Sequence, residues 1–309
     1  MNQSSPPEPP VGPATPDQRP AALELLWCDL SPADRAQRSA LLRTEATPET
    51  WQGLLVAKRE GRLVGAALGQ VQAGKSGIFV LPRLLPGEPP NTAVRLMAAV
   101  NDFLQRGGVR IAQCLLPLPL TGDADLLQAA GYRRITDLSY LASEPAAFPA
   151  SQPHSPLTFE PCTSELESRL AAIVQQTYQG TLDCPQLNGI RSIEDVLNGY
   201  RASGQSDACR WFLVKRGDED VGCLLLTDYA EQETWELIYM GLKPEARGRG
   251  WGTQIARHAQ WLTALAGRRR LVVAADAANR PAVRMYVTAG FQLWERRAVF
   301  LRVFSEQAP

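Results

Sequence analysis

The stretch Arg247-Gly248-Arg249-Gly250-Trp251-Gly252 decides how this chain is read. It follows a run with strand character, Trp235 to Leu242, and opens a run with helix character, Thr253 to Ala266. Glycine puts no side chain between the backbone and a partner, so several N–H groups can converge on one point. The first N–H groups of a helix lack intrahelical acceptors, and the helix dipole favours negative charge there. A phosphate or pyrophosphate suits such a point. Taken alone, the loop reads equally well as a tight surface turn with incidental glycines.

Working outward, 309 residues point to two domains. A composition of 45% apolar and 21% charged residues is that of a soluble globular protein. Lysine plus arginine and aspartate plus glutamate both number 32, so nothing global favours nucleic acid or an anionic membrane. The local cluster Arg268-Arg269-Arg270 reads as a solvated helix end. Six cysteines without a CxxC pair, and only two histidines, fit neither a zinc site nor a disulfide framework. No metal is expected, and the cysteines read as small buried side chains in a reducing cytoplasm. Residues 1–10 are polar and proline-rich with no apolar signal region, and no apolar run approaches the ~20 residues needed to span a bilayer. The expected localisation is cytoplasmic, with no membrane partner.

Residues 1–10 read as a disordered tail and residues 145–156 as a proline-rich linker. Between and after them lie two stretches, 11–144 and 157–309, that follow one plan. Leu54 to Ala57 and Leu63 to Val71 form a strand pair around a charged turn, as do Trp211 to Lys215 and Val221 to Tyr229. Helical patterns precede each pair, with Asp17, Ser31, Ser164 and Ser192 as expected N-caps. Ala129-Ala130-Gly131-Tyr132 matches Thr288-Ala289-Gly290-Phe291 near the end of each half. The order predicts an α/β (α+β) fold in two copies, each a mixed sheet flanked by helices. Ligands in such sheets sit beyond strand C-terminal ends, where Arg247 to Gly252 falls.

Downstream, Asn279-Arg280-Pro281-Ala282-Val283-Arg284-Met285-Tyr286-Val287-Thr288-Ala289-Gly290-Phe291 carries the pattern N-x-x-A-x-x-x-Y-x-x-x-G-F. With Arg247-x-x-Gly250-x-Gly252, it closely resembles the GCN5-related N-acetyltransferase (GNAT) superfamily, over about Leu157 to Phe304. The resemblance implies a central sheet splayed at its middle, with acetyl-CoA wedged into the splay. It implies that the backbone N–H groups of Arg247, Gly248, Arg249, Gly250 and Gly252, with the Thr253 hydroxyl, hold the pyrophosphate. Met240 and Leu242 would pair with the pantetheine arm through their backbones, Gly241 would permit a bulge, and Asn279 would hold the cofactor arm. Tyr286 matches the acid that protonates the departing thiolate, and the Met240 N–H the oxyanion donor. Glu236 is the expected base, with Asp228, Tyr229 and Glu233 as alternatives that could select a cationic substrate.

The first half resembles the same fold without its chemistry. Aligning Gly252 with Asn91 sets Pro86-Gly87-Glu88-Pro89-Pro90-Asn91 against the glycine loop, Lys75 against Glu236 and Leu127 against Tyr286. Prolines remove donors and Glu88 repels phosphate, so this half is expected to be non-catalytic. Such a tandem arrangement is similar to the mycothiol synthase type, although no residue specifies a mycothiol precursor. The expected function is acetyl-CoA-dependent N-acetylation of a primary amine in a ternary complex. A non-catalytic acyl-CoA sensor is the alternative. The acceptor and the oligomeric state are not legible.

Overall fold

The computed structural model describes residues 8–204 and 210–305, and it condenses into two compact units. One takes the chain up to Arg134 together with the segment from Phe300 on; the other is Ile135–Val299. The first contains β1 (Val11–Pro13), α1 (Arg19–Leu26), α2 (Pro32–Glu45), α3 (Pro48–Gln52), β2 (Leu54–Arg59), β3 (Arg62–Gln72), β4 (Ser76–Leu84), α4 (Asn91–Arg106), β5 (Ile111–Pro117) and α5 (Asp123–Ala129). Strands β1 to β5 lie in chain order, antiparallel except for the β4–β5 pair. Ala22, Leu23, Leu26, Leu54, Val56 and Leu68 form one core of this unit. On α4 the residues Leu96, Met97, Val100 and Leu104 recur at helical spacing and are all buried.

The second unit holds nearly all of β6 (Arg133–Ser143), then β7 (Thr158–Pro161), α6 (Glu167–Thr177), α7 (Ile193–Arg201), β8 (Arg210–Arg216), β9 (Glu219–Tyr229), β10 (Thr234–Leu242), α8 (Trp251–Leu265), β11 (Arg270–Asp276), α9 (Arg280–Thr288) and the start of β12 (Gln292–Val303). Its strands pair in the order β7-β8-β9-β10-β11-β6, with β10–β11 parallel and the rest antiparallel. One sheet face packs Leu224, Trp235, Leu237 and Leu271 against Trp251, Ile255 and Ala259 of α8 and Tyr286 of α9. The other packs Leu213, Cys223 and Leu225 against Leu170, Val174 and Leu197 of α6 and α7. Period-two alternation along β9 feeds both layers, which is why Val221 to Thr227 are all buried.

β10 and β11 pair over three rungs only: Thr234↔Arg270, Trp235↔Leu271 and Glu236↔Val272. Beyond Glu236 they part. The β9–β10 register slips between Leu237 and Tyr239, so Ile238 is a bulge residue. The bulge expected at Gly241 is therefore three residues earlier. Glycine at 241 answers a different demand, since a Cβ there would stand 2.6 Å from the Thr177 side chain. The first unit repeats the plan, with β4 and β5 paired only over Ser76–Ile78 and a slip opposite Ala66 to Leu68.

Several local expectations shift. Ser31 and Ser192 cap α2 and α7, accepting from the Asp34 and Asp195 N–H groups at 3.2 and 3.1 Å. α1 instead starts after Gln18 without a side-chain cap, and Ser164 lies in a short 3₁₀ turn that precedes α6. Glu8 and Pro10 are bound within the first unit, by Arg95 at 2.9 Å and by the Lys58 N–H at 3.1 Å; residues 1–7 lie outside the described residues. The proline-rich stretch packs Phe148 on the core of the second unit. Cys114 and Cys223 are buried as expected, Cys28 is exposed, and Cys209 lies outside the described residues. No helix among the described residues is long and apolar enough to cross a membrane.

Candidate functional site

Where β10 and β11 part, a cavity of about 550 Å³ opens in the second unit. Leu237 to Leu242 line it on one strand and Val273 to Ala275 on the other; Gly248, Gly250, Trp251, Gly252 and Thr253 at the start of α8, and Asn279, Met285 and Tyr286, complete the lining. Lys243 donates its N–H to the Val221 carbonyl of β9, so by strand alternation the backbone groups of Met240 and Leu242 turn away from β9 toward the opening. The bulge at Ile238 sets this phase. It places Ile238 and Tyr239 together on the α6–α7 face and returns Met240 and Leu242 to the α8–α9 face.

The glycine loop has the geometry its sequence implies. Gly248 and Gly250 sit at φ +74° and +75°, a left-handed conformation costly for other residues. Space beside both is open. Gly250 is the N-cap of α8 and supplies no side-chain acceptor, which leaves the first N–H groups of the helix facing the cavity without an internal partner. Arg247 has another duty than the one expected. Its backbone N–H donates to the Pro244 carbonyl, and its guanidinium donates to the carbonyls of Leu242, Gly180 and Thr177 at 3.1, 3.1 and 2.8 Å. It clamps the loop to the ends of β10 and α6. Arg249 is not on the cavity wall; its guanidinium covers the Trp251 ring at 5.2 Å, and Arg216 approaches the same ring at 5.4 Å.

Asn279 is the N-cap of α9, its Oδ1 accepting from the Ala282 N–H at 3.3 Å, and it also lines the cavity. Tyr286 is 5% exposed, its ring edge-on to Phe291. Burial first, and the charge of Asp183 second, push its phenol above the usual range, so it stays protonated at neutral pH. Glu236 stands on the last paired rung and is not part of the cavity wall. Trp235 and Leu237 face the α8 side, so Glu236 faces the α6–α7 side, near Tyr229 and Tyr140. Burial raises its carboxyl pKa, and a hydrogen bond with Tyr229 partly offsets this. Asp228, an alternative from sequence, is engaged by Arg268 through two 2.7 Å bonds that hold its carboxyl low. His258 lies stacked on Phe159 at 3.5 Å, away from the cavity, its pKa pushed down by burial to about 4.

Two features carry no motif in the sequence, although residues 177–188 are the stretch expected to contact the substrate. Asp183, in the loop after α6, lines the cavity. It is exposed by accessible surface, yet the protein packed around its carboxyl raises its pKa. Tyr239, Tyr178 and Tyr200 cluster on the α6–α7 face, with the Tyr239 hydroxyl 2.7 Å from Thr177 Oγ1. Only Thr181-Leu182-Asp183-Cys184-Pro185, a polar turn ending in proline, hints at the first. Among the described residues no group of three His, Cys, Asp or Glu side chains stands close enough to hold a metal.

The first unit differs at each corresponding position. Residues 85–90 join β4 to α4 where 243–250 join β10 to α8, so the first loop is shorter and the alignment drawn from Asn91 slips along the strand. Ser76 on the first paired rung of β4 corresponds to Thr234, which puts Ile78, not Lys75, opposite Glu236. Glu88 is buried near the α4 N-terminus, bonded to Arg59 at 2.8 Å and accepting from the Thr92 hydroxyl at 2.5 Å.

Residues 175–291 match the model of the Acetyltransferase (GNAT) family. Over 182 residues the chain is 29% identical to mycothiol acetyltransferase of Streptomyces bingchenggensis, covering 56% of this chain and 55% of that protein. The match thus spans about half the length of that relative. A GCN5-related N-acetyltransferase from Sphaerobacter thermophilus shares the fold with a TM-score of 0.66 at 17% identity, over 97% of each chain. A tandem GNAT protein from the clavulanic acid biosynthesis pathway does so with a TM-score of 0.54 at 16% identity, over 97% of this chain and 100% of that one. The fold is thus the tandem acyltransferase one, with a splayed mixed sheet in each unit. The family match supports acyl transfer as the chemistry of the second.

Proposed function

We propose that the chain transfers an acetyl group from acetyl-CoA to a primary amine, in a ternary complex held by the second unit. The observation that carries the reading is the cavity at the β10–β11 parting, lined by the start of α8 with its free helix N–H groups and by Tyr286. The residues present fit the cofactor. The glycine loop and Thr253 would hold the pyrophosphate, the turned-out backbone of Met240 and Leu242 would pair with the pantetheine arm, and the free amide of Asn279 would meet that arm. Bound acetyl-CoA supplies the activated thioester.

The residues then divide the work. The Met240 N–H stabilises the oxyanion, worth about 3 kcal/mol for one such donor. Tyr286, protonated at neutral pH, gives a proton to the thiolate as it leaves. Glu236 takes the proton of the ammonium through a water, since it stands one rung before the parting rather than on the wall. Its raised pKa makes it a better base than an exposed glutamate. Release of CoA is followed with a panel of amines, in wild type and in Gly250→Glu. Turnover is expected in wild type and its loss in the variant, whose carboxylate lies where phosphate would. No CoA binding and no turnover in wild type would defeat the reading.

A further inference from the structure

We infer that Asp183 is the subsite that seats the acceptor as a cation, and that it selects amines carrying positive charge when they bind. This rests on the acetyl-transfer reading and adds a residue to it. Three observations carry it: position, tethering and the lack of an internal counter-ion.

Asp183 lines the same cavity as the glycine loop and Tyr286. It is fixed there from both sides. The Asp276 N–H, at the end of β11, donates to Asp183 Oδ1 at 2.8 Å, and the Cys184 N–H donates back to Asp276 Oδ2 at 3.0 Å. The Asp183 N–H donates to Thr181 Oγ1 at 3.1 Å, and Cys184 adopts φ +43°, a left-handed conformation that turns the chain at this point. A loop so tied does not swing its carboxylate away.

Among the described residues no lysine or arginine forms an ion pair with Asp183, and its Oδ2 has no protein partner. Its neighbour Asp276 is 2% exposed and saturated, accepting from Thr136, Cys184 and Ala278. Two adjacent carboxylates without a protein cation make the surroundings of Asp183 negative. A carboxylate with no protein counter-ion favours a cation beside it. The cavity lining thus offers both helix N–H groups for an anion and a carboxylate for an ammonium.

The test uses the full chain saturated with CoA, with 1,4-diaminobutane as the cationic probe and 1,4-butanediol as its uncharged match. Diaminobutane is expected to raise the melting temperature of wild type while the diol does not. Asp183→Asn keeps an oxygen for the Asp276 N–H, so it should still be stabilised by CoA yet lose the diaminobutane effect; Asp183→Glu should restore part of it. For any amine that is turned over, Asp183→Asn should raise KM about tenfold with a smaller change in kcat. Equal stabilisation by diol and diamine in wild type, no stabilisation by the diamine, or an undiminished effect in Asp183→Asn overturns the subsite. If Asp183→Asn loses its fold, the comparison of diamine with diol in wild type decides alone. Asp183-dependent diamine binding without CoA release from acetyl-CoA would leave the subsite standing and defeat the transfer reading instead.

Discussion

Tyr286 and Leu127 hold one place in two copies of a fold. Each carbonyl accepts the backbone N–H that follows the closing glycine, from Phe291 and from Tyr132. Leu127 is fully buried and supplies only packing. Tyr286 supplies a hydroxyl at the cavity, so Tyr286→Phe should lower kcat by about 10²-fold, with CoA affinity unchanged, measured by CoA release and by titration. A loss of CoA affinity without loss of kcat would make the ring a packing residue like Leu127. His258 allows a pH test at the same scale. Its ring is held neutral between Phe159, Phe212 and Trp261, with a pKa of about 4 against 6.5 for the free side chain. The unfolded chain therefore binds that proton first. The stability it confers is full above pH 6.5 and drains as pH falls toward 4. His258→Phe should melt at a temperature less dependent on pH across that window, by roughly 5 °C. The place of Tyr286 on the cavity was legible because its motif has a fixed spacing. Asp183 was not, because its meaning comes from a hydrogen bond to Asp276, 93 residues away.

At the scale of elements, the site is made by the way β10 stops pairing. Sequence locates the strand and the loop after it, but not the bulge. Neither Leu237, Ile238 nor Tyr239 has a residue type that marks one. The glycine that seemed to mark it has steric neighbours instead. Thr177 is 2% exposed, and its hydroxyl is held by the Val174 carbonyl and the Tyr239 hydroxyl, so it cannot yield to a new methyl group. Gly241→Ala should destabilise the chain by about 1–3 kcal/mol, read from urea unfolding, and weaken CoA binding by displacing Met240 and Leu242. An unchanged midpoint would mean that α6 shifts freely at Thr177. The loop of the first unit makes the contrast. There Glu88 puts its own carboxylate near the N-terminus of α4, and Arg59 neutralises it. An acidic side chain buried at that place competes with phosphate, which was readable from Pro86 to Asn91, whereas its partner Arg59 was not.

Across the whole molecule, the duplication was readable and the division of closing strands was not. Alternation in Arg133 to Ser143 shows a strand, but a strand's sequence does not name the sheet it joins. Leu138 to Ser143 pair with Asp276 to Leu271, so a strand from the first half of the sequence completes the second unit. The residues it supports are those of the site. Ser139 to Leu141 lie opposite Ala275 to Val273, which form the cavity wall. Leu141 is fully buried in the core shared with Trp251 and Tyr286, Ser143 meets Gln260 at 2.7 Å, and Thr136 holds Asp276. Removing one buried leucine side chain costs about 2–5 kcal/mol, against a total stability of roughly 5–15 kcal/mol for a domain; removing the whole strand costs more. A chain begun at residue 154, just after the proline-rich stretch, should therefore lose cooperative unfolding and CoA binding. One begun at residue 133 should regain both, read by thermal unfolding and by CoA titration. If the shorter piece unfolds as sharply as the longer and binds CoA as well, β6 is dispensable and the second half of the sequence is a domain by itself.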